Sequence, residues 1–327
     1  MKPVLLVQGV NAIEEVPRLH ELRDQAEIRC AGDDAAFREM LPGAEIMLGW
    51  NFRAASLRDA WSLADSLRWI HWAGAGVDAA MFDELVNSDV HFTNARGVFD
   101  RPMAEWVLGM IIAFAKRFPQ TLASQAQCEW HYRMSEKVQG KRALVVGVGS
   151  IGREVGRLLR AAGMEVEAIG RTARDGDADF GRVHAIGDLL EQLAQADYVV
   201  LITPLTEQTR GLFGAAEFAA MPAHARFINI GRGALVDEVA LLDALQQGRI
   251  AGAALDVFLE EPLPPESPFW TAPNCLVSPH MSGDYDEFES VMATQFVDNW
   301  ARYLAGESLY NLVDKQLGFA APVGSAG

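Results

Sequence analysis

The chain alternates short apolar runs with helical segments from residue 142 onward, and this alternation constrains the fold more than any other feature. The apolar runs have the length of buried strands and lie at residues 143–147, 164–169, 198–203, 226–230, 252–258 and 276–279. Between them, segments such as residues 151–162 and 237–247 have helical periodicity. A series of this kind predicts a parallel, doubly wound sheet.

A weaker series of the same kind precedes it. Its apolar runs predict a small βα sheet and lie at residues 4–7, 45–49, 67–71 and 90–94. The chain has 327 residues, which is more than one hydrophobic core usually supports. Because a last helix at residues 285–304 follows the second sheet, we expect the chain to return to its first domain. The prediction is an α/β protein with two Rossmann-like domains, one of them inserted into the other.

The charge and the cysteines of the chain limit its partners. A formal net charge of −16 repels nucleic acid and anionic membranes, so an anion can bind only at a local cluster of donors. Cys30, Cys128 and Cys275 are far apart and lack a metal-ligand spacing, which predicts a reducing compartment and no metal site. No apolar run reaches the roughly 18 residues of a membrane span, and the amino terminus lacks a signal-peptide pattern. We therefore predict a cytoplasmic protein.

Residues 102–117 form a long apolar helical stretch. Trp106, Ile111, Ile112 and Phe114 surround this helix, so much of it must be covered. Burial by the other domain of the same chain and burial in a subunit interface both remain open.

A glycine motif follows the first strand of the denser series. Residues 147–152 read GVGSIG and match the dinucleotide-binding fingerprint, which lies between a strand and a helix. Gly147 allows the tight turn, Gly149 lets the backbone approach a pyrophosphate, and Gly152 permits close helix packing. Ser150 and Ile151 begin a helix whose N–H groups can bind phosphates. The alternative is a glycine-rich structural turn, but the context favours a cofactor site.

Further motifs read AGAGVD at residues 73–78, PLT at 204–206 with Thr209, NIGRG at 229–233 with VD at 236–237, DVF at 256–258 with Glu261 and Pro262, and SPH at 278–280. In their order and spacing, these motifs resemble the family of D-isomer-specific 2-hydroxyacid dehydrogenases. The resemblance extends to glyoxylate/hydroxypyruvate reductases and related 2-keto acid reductases. It implies hydride transfer between a nicotinamide dinucleotide and a 2-keto acid or D-2-hydroxy acid.

The resemblance also assigns the domains and an assembly. Residues 102–282 would form the inserted NAD(P)-binding domain, and residues 1–101 and 283–327 a discontinuous substrate-binding domain. A homodimer is implied, with the apolar helix in its interface.

Arg232 follows the predicted strand at residues 226–230, at the edge where ligands bind in open α/β sheets. A guanidinium there can hold a carboxylate through two hydrogen bonds and polarise the neighbouring carbonyl. From the residues alone, a solvated loop arginine is an equal alternative. The resemblance implies the functional role.

His280 follows a Ser-Pro dipeptide at another strand end, a motif that the other histidines lack. Reduction of a ketone places negative charge on oxygen, to which an imidazolium can donate a proton near neutral pH. A carboxylate partner would favour the charged ring and fix its orientation. The resemblance implies that this partner is the glutamate after the strand aspartate, here Glu261 after Asp256, rather than Glu260. Formate dehydrogenases of the superfamily have a glutamine instead, so Glu261 argues against formate.

The resemblance implies substrate contacts in the first domain as well. Backbone N–H groups of Ala75 and Gly76 would bind the carboxylate, since residues without bulk permit a close approach. A plain βα turn is the alternative. Trp50 lies where the family places a side chain that closes over the substrate, although packing is an equal alternative for a tryptophan. Domain closure would then exclude water from the reacting atoms.

Further cofactor contacts are implied at several strand ends. They are Thr203, Pro204, Thr209, Ile230, Gly231, Arg232, Asp256 and His280.

The end of the strand at residues 164–169 bears on the choice between NADH and NADPH. In NAD-binding versions of this fold, an acidic residue about 20 positions beyond the glycines binds the ribose hydroxyl. Here no acid occurs until Asp175. Gly170 leaves room for a 2′-phosphate, Arg171 can pair with it, Thr172 can donate a hydroxyl, and Arg174 is a second available cation. We therefore predict that NADP(H) is preferred over NAD(H), the alternative being that Arg171 stacks on adenine or faces solvent.

A second class of function stays open. Transcriptional corepressors that resemble this family use dinucleotide binding as a sensor and can retain the active-site residues. The chain has little extra length for partner-binding segments and no basic run, so an enzyme is favoured. The motifs do not identify the keto acid, because glyoxylate, hydroxypyruvate and branched keto acids share the carboxylate and carbonyl that the motifs explain.

Overall fold

The computed structural model describes residues 2–51 and 56–320. The strands, numbered along the chain, are β1 (Val4–Gln8), β2 (Glu27–Ala31), β3 (Ile46–Gly49), β4 (Trp69–Trp72), β5 (His91–Asn94), β6 (Arg142–Val146), β7 (Glu165–Gly170), β8 (Arg174–Asp177), β9 (Gly181–Ala185), β10 (Tyr198–Leu201), β11 (Arg226–Asn229), β12 (Gly252–Leu255), β13 (Cys275–Val277), β14 (Val313–Asp314) and β15 (Phe319–Ala320). The α-helices are α1 (Asp34–Met40), α2 (Ser56–Ala60), α3 (Asp83–Val86), α4 (Asp100–Ala115), α5 (Phe118–Ala126), α6 (Ser150–Ala161), α7 (Leu189–Leu193), α8 (Ala215–Ala220), α9 (Glu238–Gln246) and α10 (Phe288–Leu304). Short 3-10 helices cover Ile13–Glu15, Leu19–Leu22, Trp61–Leu63, Ile186–Asp188, Gly233–Leu235 and Pro268–Thr271.

The chain divides into two compact units. Unit 1 takes in both ends of the chain, Met1–Phe99 and Tyr285–Gly327, and unit 2 is Asp100–Asp284. The boundaries predicted from the sequence lie at residues 101/102 and 282/283. The substrate and cofactor roles assigned to the two domains stay predictions.

Unit 1 contains a five-stranded parallel sheet in the order β2-β1-β3-β4-β5. The order reverses between β1 and β3, which makes the carboxyl ends of these strands a switch point. Successive residues of β1 face opposite sides, so that Leu6 packs in one apolar core and Leu5 in the other. Helix α10 covers the second core with Phe296 and Trp300, which are both buried.

His71 lies on β4 in the core that α10 covers and is completely buried. Its Nδ1 atom is 2.8 Å from Oγ1 of Thr93, and its ring centroid is 5.5 Å from that of Phe296. Burial lowers the pKa of His71 to about 3. The folded chain therefore keeps this imidazole neutral at pH values where the unfolded chain would protonate it.

We expect acid to destabilise the fold through His71. Its pKa is about 3 when folded and near 6.5 when unfolded, so the stability contributed by the neutral ring is complete above about pH 6.5 and falls as the pH falls toward 3. One proton taken up on unfolding corresponds to about 1.4 kcal/mol per pH unit. In urea unfolding of the wild type, the slope should rise toward this value as the pH falls from about 7.5 to 5.5, and His71→Leu should remove this rise. His91→Leu, at an exposed position of β5, is the control. Equal slopes in the wild type and in His71→Leu would contradict the prediction.

Unit 2 contains an eight-stranded sheet in the order β13-β12-β11-β10-β6-β7-β9-β8. Its strands are parallel except β8, which pairs antiparallel with β9. The order reverses between β6 and β10, and the predicted doubly wound α/β architecture is confirmed. The apolar alternation does not predict the β8–β9 hairpin, because β8 reads RDGD and offers no apolar residue.

Helix α4 belongs to unit 2 and packs against its own unit. Ile111 and Phe114 are buried in the core that also contains Leu159 of α6. Trp106 and Ile112 are half-buried. One face of α4 is thus covered within the unit, and the subunit interface stays a prediction. None of the helices in the described ranges is long and apolar enough to cross a membrane.

Candidate active site

Three predicted site residues of unit 2 follow carboxyl ends of parallel strands. Arg232 comes after β11, Asp256 after β12 and His280 after β13. Because parallel strands end at the same side of a sheet, these residues share one edge of the unit 2 sheet. The glycine motif follows β6 at that same edge.

His280 and Glu261 are joined by a hydrogen bond. Nδ1 of His280 is 2.6 Å from Oε2 of Glu261, and about a third or less of each side chain is exposed, 28% and 31%. The second oxygen of Glu261, Oε1, accepts a hydrogen bond from the backbone N–H of Phe258 at 2.9 Å. The carboxylate is thereby held in place, and it fixes which ring nitrogen of His280 faces the protein.

Asp256 secures the loop on both sides of His280. Its buried carboxylate accepts hydrogen bonds from Oγ of Ser278, from the N–H of Met281 at 2.9 Å and from the N–H of Ser282 at 2.9 Å. His280 itself has φ +55°, a left-handed conformation that is uncommon outside glycine but enriched for histidine. Such conformations persist where surrounding bonds enforce them, and the bonds to Asp256 do so here. The sequence did not reveal this bracing role of Asp256.

Arg232 lies in a turn that a buried asparagine braces. Oδ1 of Asn229 accepts from the N–H of Gly231 at 3.0 Å, and its Nδ2 donates to the carbonyl of Arg232 at 3.0 Å. The guanidinium of Arg232 is half-buried and donates through Nη1 to the carbonyl of Gly231 at 2.7 Å. The sequence alone did not assign this bracing role to Asn229, although the position of the residue in the NIGRG motif indicates a specific function.

Gly233 brings the Arg232 turn into contact with the loop that carries Glu261. A Cβ atom at Gly233 would lie 2.0 Å from the carbonyl carbon of Phe258 and 2.4 Å from the amide nitrogen of Leu259. Only a residue without a side chain permits this approach. The turn that carries Arg232 and the loop that carries Glu261 therefore meet at one close backbone contact.

The fingerprint glycines form a cradle between β6 and α6. Gly147 has φ +120°, and a Cβ there would lie 2.6 Å from the carbonyl oxygen of Ile202. A Cβ at Gly152 would lie 2.0 Å from the carbonyl oxygen of Gly147. Gly149 is the N-cap of α6. The cradle leaves the first N–H groups of this helix open to a pyrophosphate, so these residues fit a dinucleotide.

The two residues that open α6 have different surroundings. Oγ of Ser150 donates to Oδ1 of Asp100 at 3.1 Å. Ile151 packs at the margin of the core shared by α4 and β6.

The side chains of the other predicted cofactor residues are engaged within unit 2. Oγ1 of Thr203 donates to the carbonyl of Val146 at 3.0 Å. Oγ1 of Thr209 donates to the carbonyl of Pro204 at 2.7 Å and closes a turn. Ile230 is buried in the core. If these positions contact a cofactor, they therefore do so largely through their backbone or their outer surface.

Two arginines and a threonine lie within four residues after the end of β7. Arg171 and Thr172 are exposed just beyond the strand. Arg174 forms an ion pair with Asp177, whose Oδ2 lies 2.8 Å from Nη2. Asp177 also accepts hydrogen bonds from Arg153 of α6, which hold the pKa of this carboxyl well below its usual range. The charge of Arg174 is thus compensated by a buried carboxylate.

In unit 1, Trp50 and the AGAGVD loop follow β3 and β4. Trp50 is half-buried and packs against the core that α10 covers. This contact supports the packing role, and a role toward substrate stays a prediction. Ala75 and Gly76 are half-buried.

The described residues contain no group of three or more His, Cys, Asp or Glu side chains placed to hold a metal ion. Cys275 lies on β13, where burial raises the pKa of its thiol to about 12. This thiol therefore stays protonated near neutral pH.

Comparison with known proteins places these features in a family. The model of the D-isomer specific 2-hydroxyacid dehydrogenase NAD binding domain matches residues 108–282. The chain is 36% identical over 245 residues to glyoxylate/hydroxypyruvate reductase B of Citrobacter koseri, covering 71% of this chain and 75% of that protein. It is 32% identical over 259 residues to D-3-phosphoglycerate dehydrogenase of Methanocaldococcus jannaschii, covering 79% of this chain and 49% of that protein. The match thus spans about half the length of this second relative.

A solved structure extends the similarity to nearly the whole chain. The NADPH-dependent glyoxylate/hydroxypyruvate reductase of Sinorhizobium meliloti, in complex with NADP and sulfate, aligns with a TM-score of 0.83 at 28% identity. The alignment covers 98% of this chain and 100% of that one.

Proposed function

Since the chain belongs to the D-isomer specific 2-hydroxyacid dehydrogenase family, we propose that it reduces a 2-keto acid to a D-2-hydroxy acid with a nicotinamide dinucleotide. The observation that carries the proposal is the 2.6 Å hydrogen bond between His280 and Glu261, at the sheet edge that also holds Arg232 and the glycine cradle. A proton donor, a carboxylate-binding cation and a dinucleotide cradle are the three parts that this reaction needs.

Each residue has a defined task in the proposed reaction. A reduced nicotinamide dinucleotide, held by the glycine cradle at residues 147–152, would supply the hydride for C2 of the keto acid. His280 donates a proton to the carbonyl oxygen from Nε2, because Nδ1 is bonded to Glu261. Arg232 binds the substrate carboxylate. In unit 1, the N–H groups of Ala75 and Gly76 are the other predicted donors to a carboxylate. The oxidative direction reverses these roles.

The substrate is a small 2-keto acid. The relatives named above act, by their names, on glyoxylate, hydroxypyruvate or phosphoglycerate. The test is loss of absorbance by NADPH and NADH with glyoxylate, hydroxypyruvate, phosphohydroxypyruvate and a branched aliphatic keto acid. Turnover with at least one of them is expected. Only trace rates with all of them, combined with tight dinucleotide binding, would favour the dinucleotide-sensing role instead.

We further propose that NADPH is preferred over NADH. The exposed Arg171 and Thr172 stand beyond β7, where the 2′-phosphate of a dinucleotide would lie in this fold. The NADP complex of the Sinorhizobium meliloti enzyme supports this reading. Arg171 directly follows β7, so it is the residue on which discrimination should depend.

Arg171→Ala is expected to lower kcat/KM with NADPH by about ten-fold or more, since a charge-assisted hydrogen bond contributes about 1.5–3 kcal/mol. Values with NADH should change little. The dissociation constants of both dinucleotides, measured by calorimetry, should follow the same pattern. Arg174→Ala is the matched control and should have a smaller effect, because its guanidinium is bound by Asp177. Equal use of both cofactors by the wild type, or a preference that survives in Arg171→Ala, would contradict the assignment.

The cytoplasmic location and the homodimer are part of the same proposal. The homodimer rests on the family resemblance and on the half-buried apolar residues of α4, such as Trp106. The cytoplasmic location rests on the cysteine pattern of the sequence.

A further inference from the structure

The loop at residues 73–78 is fastened to the end of β5 by two successive carbonyl groups. The N–H of Ala95 donates to the carbonyl of Gly74 at 3.1 Å. Nδ2 of Asn94 donates to the carbonyl of Ala75 at 2.7 Å. Both carbonyl groups therefore face β5.

These two bonds determine where the next two amides point. In a planar trans peptide, the C=O and the following N–H point in opposite directions. The N–H groups of Ala75 and Gly76 consequently both face away from β5. Two successive N–H groups directed to one side form a concave anion site of the kind called a nest. No backbone carbonyl within the described ranges accepts a hydrogen bond from either group.

We propose that Asn94 is a positioning residue, which aims the N–H of Gly76 at the substrate carboxylate by holding the carbonyl of Ala75. The proposal rests on the 2-keto acid reduction proposed above. Asn94 is 2% exposed, so it acts through the loop rather than by touching the substrate. An amide suits this task because it donates a hydrogen bond without a charge, whereas an aspartate would accept only and would repel an anion.

Residues from the carboxyl-terminal part of unit 1 hold the end of β5 in place. The N–H of Asn94 donates to the carbonyl of Asn311 at 3.3 Å. Nδ2 of Asn311 and Nε2 of Gln295 both donate to the carbonyl of Arg96, at 2.9 Å and 3.0 Å. The position of Asn94 is therefore fixed by hydrogen bonds between the end of β5 and other residues of unit 1.

The experiment compares Asn94→Ala and Asn94→Asp with Asn299→Ala in the full chain. Asn299 is a matched control because it is also buried in unit 1, and its Nδ2 donates to the carbonyl of Tyr310 at 3.0 Å. The measurements are kcat and KM for the preferred keto acid, the Kd of oxamate in the presence of dinucleotide, and the thermal midpoint. Oxamate is an unreactive analogue that carries the same carboxylate.

Both Asn94 variants should raise KM and the Kd of oxamate by about ten-fold or more, because an oriented N–H to a charged ligand contributes that much. The value of kcat should change far less, which marks a loss of ground-state binding. Asn299→Ala should lower the thermal midpoint and leave KM unchanged. Asn94→Asp keeps the size of the side chain, so it tests the positioning role of Asn94 if the alanine variant does not fold.

An unchanged KM in both Asn94 variants, or an equal rise in Asn299→Ala, would overturn the positioning role. Absence of turnover by the wild type would instead contradict the proposed function, and oxamate binding would then decide the role of Asn94. A wild type that neither turns over nor binds oxamate would overturn both.

Discussion

Replacement of His280 by alanine is expected to lower kcat for the keto acid by roughly 10²- to 10⁴-fold, the usual contribution of a positioned acid. The alkoxide that forms at C2 would lose its proton donor, while the glycine cradle that holds the dinucleotide lies after another strand. The Kd of NADPH should therefore stay near the wild-type value. Steady-state kinetics together with dinucleotide titration measures both quantities.

His224→Ala is the matched control for this variant. His224 also faces a carboxylate, with Nε2 3.2 Å from Oδ1 of Asp197, but it precedes β11 at the opposite edge of the sheet. Its loss should leave kcat unchanged. Near-normal turnover in His280→Ala would remove His280 from the mechanism.

Substitution of Gly233 by alanine is expected to lower kcat/KM by about 10²-fold, because a misplacement of about 1 Å near the reacting groups can cost that much. The added Cβ would lie 2.0 Å from the carbonyl carbon of Phe258, so the Arg232 turn and the Glu261 loop must move apart. Both kcat and KM should change, because the substitution displaces Glu261, the partner of the proposed proton donor, together with Arg232, the proposed carboxylate-binding cation.

Gly187→Ala is the corresponding control. Gly187 also lies in unit 2, and a Cβ there would meet nothing within 4 Å among the described residues. Its activity should match that of the wild type. A Gly233→Ala enzyme with wild-type kinetics would show that the backbone contact does not govern the site.

The motifs predicted the parts of the site that depend on short sequence patterns. The fingerprint at residues 147–152 and the strand ends before Arg232 and His280 lie where the alternation of apolar runs indicates. Parallel strands then bring these ends to one edge without further information. The pairing of Glu261 with His280 followed from family resemblance rather than from any pattern in the residues.

The features that sequence could not predict depend on contacts between distant residues. Strand β8 has only charged residues and a glycine, and it is held by Arg153 of α6, which lies 24 positions before Asp177. The bond from Asn94 to Ala75 spans 19 positions, and its donor lies outside the matching motifs. A polar residue at a strand end has many possible partners, and only the folded sheet selects one.

The discontinuity of unit 1 has a consequence for how the chain acquires its structure during synthesis. Unit 2 is complete once residue 284 has been made, whereas the first unit still lacks α10 at that point. The face of its sheet that contains Leu5 and Trp69 then has no Phe296 or Trp300 to cover it. Exposed apolar strands of this kind favour aggregation. On the ribosome, the inserted unit can therefore fold before the unit that begins the chain, and the early strands must wait for nearly the whole sequence to emerge.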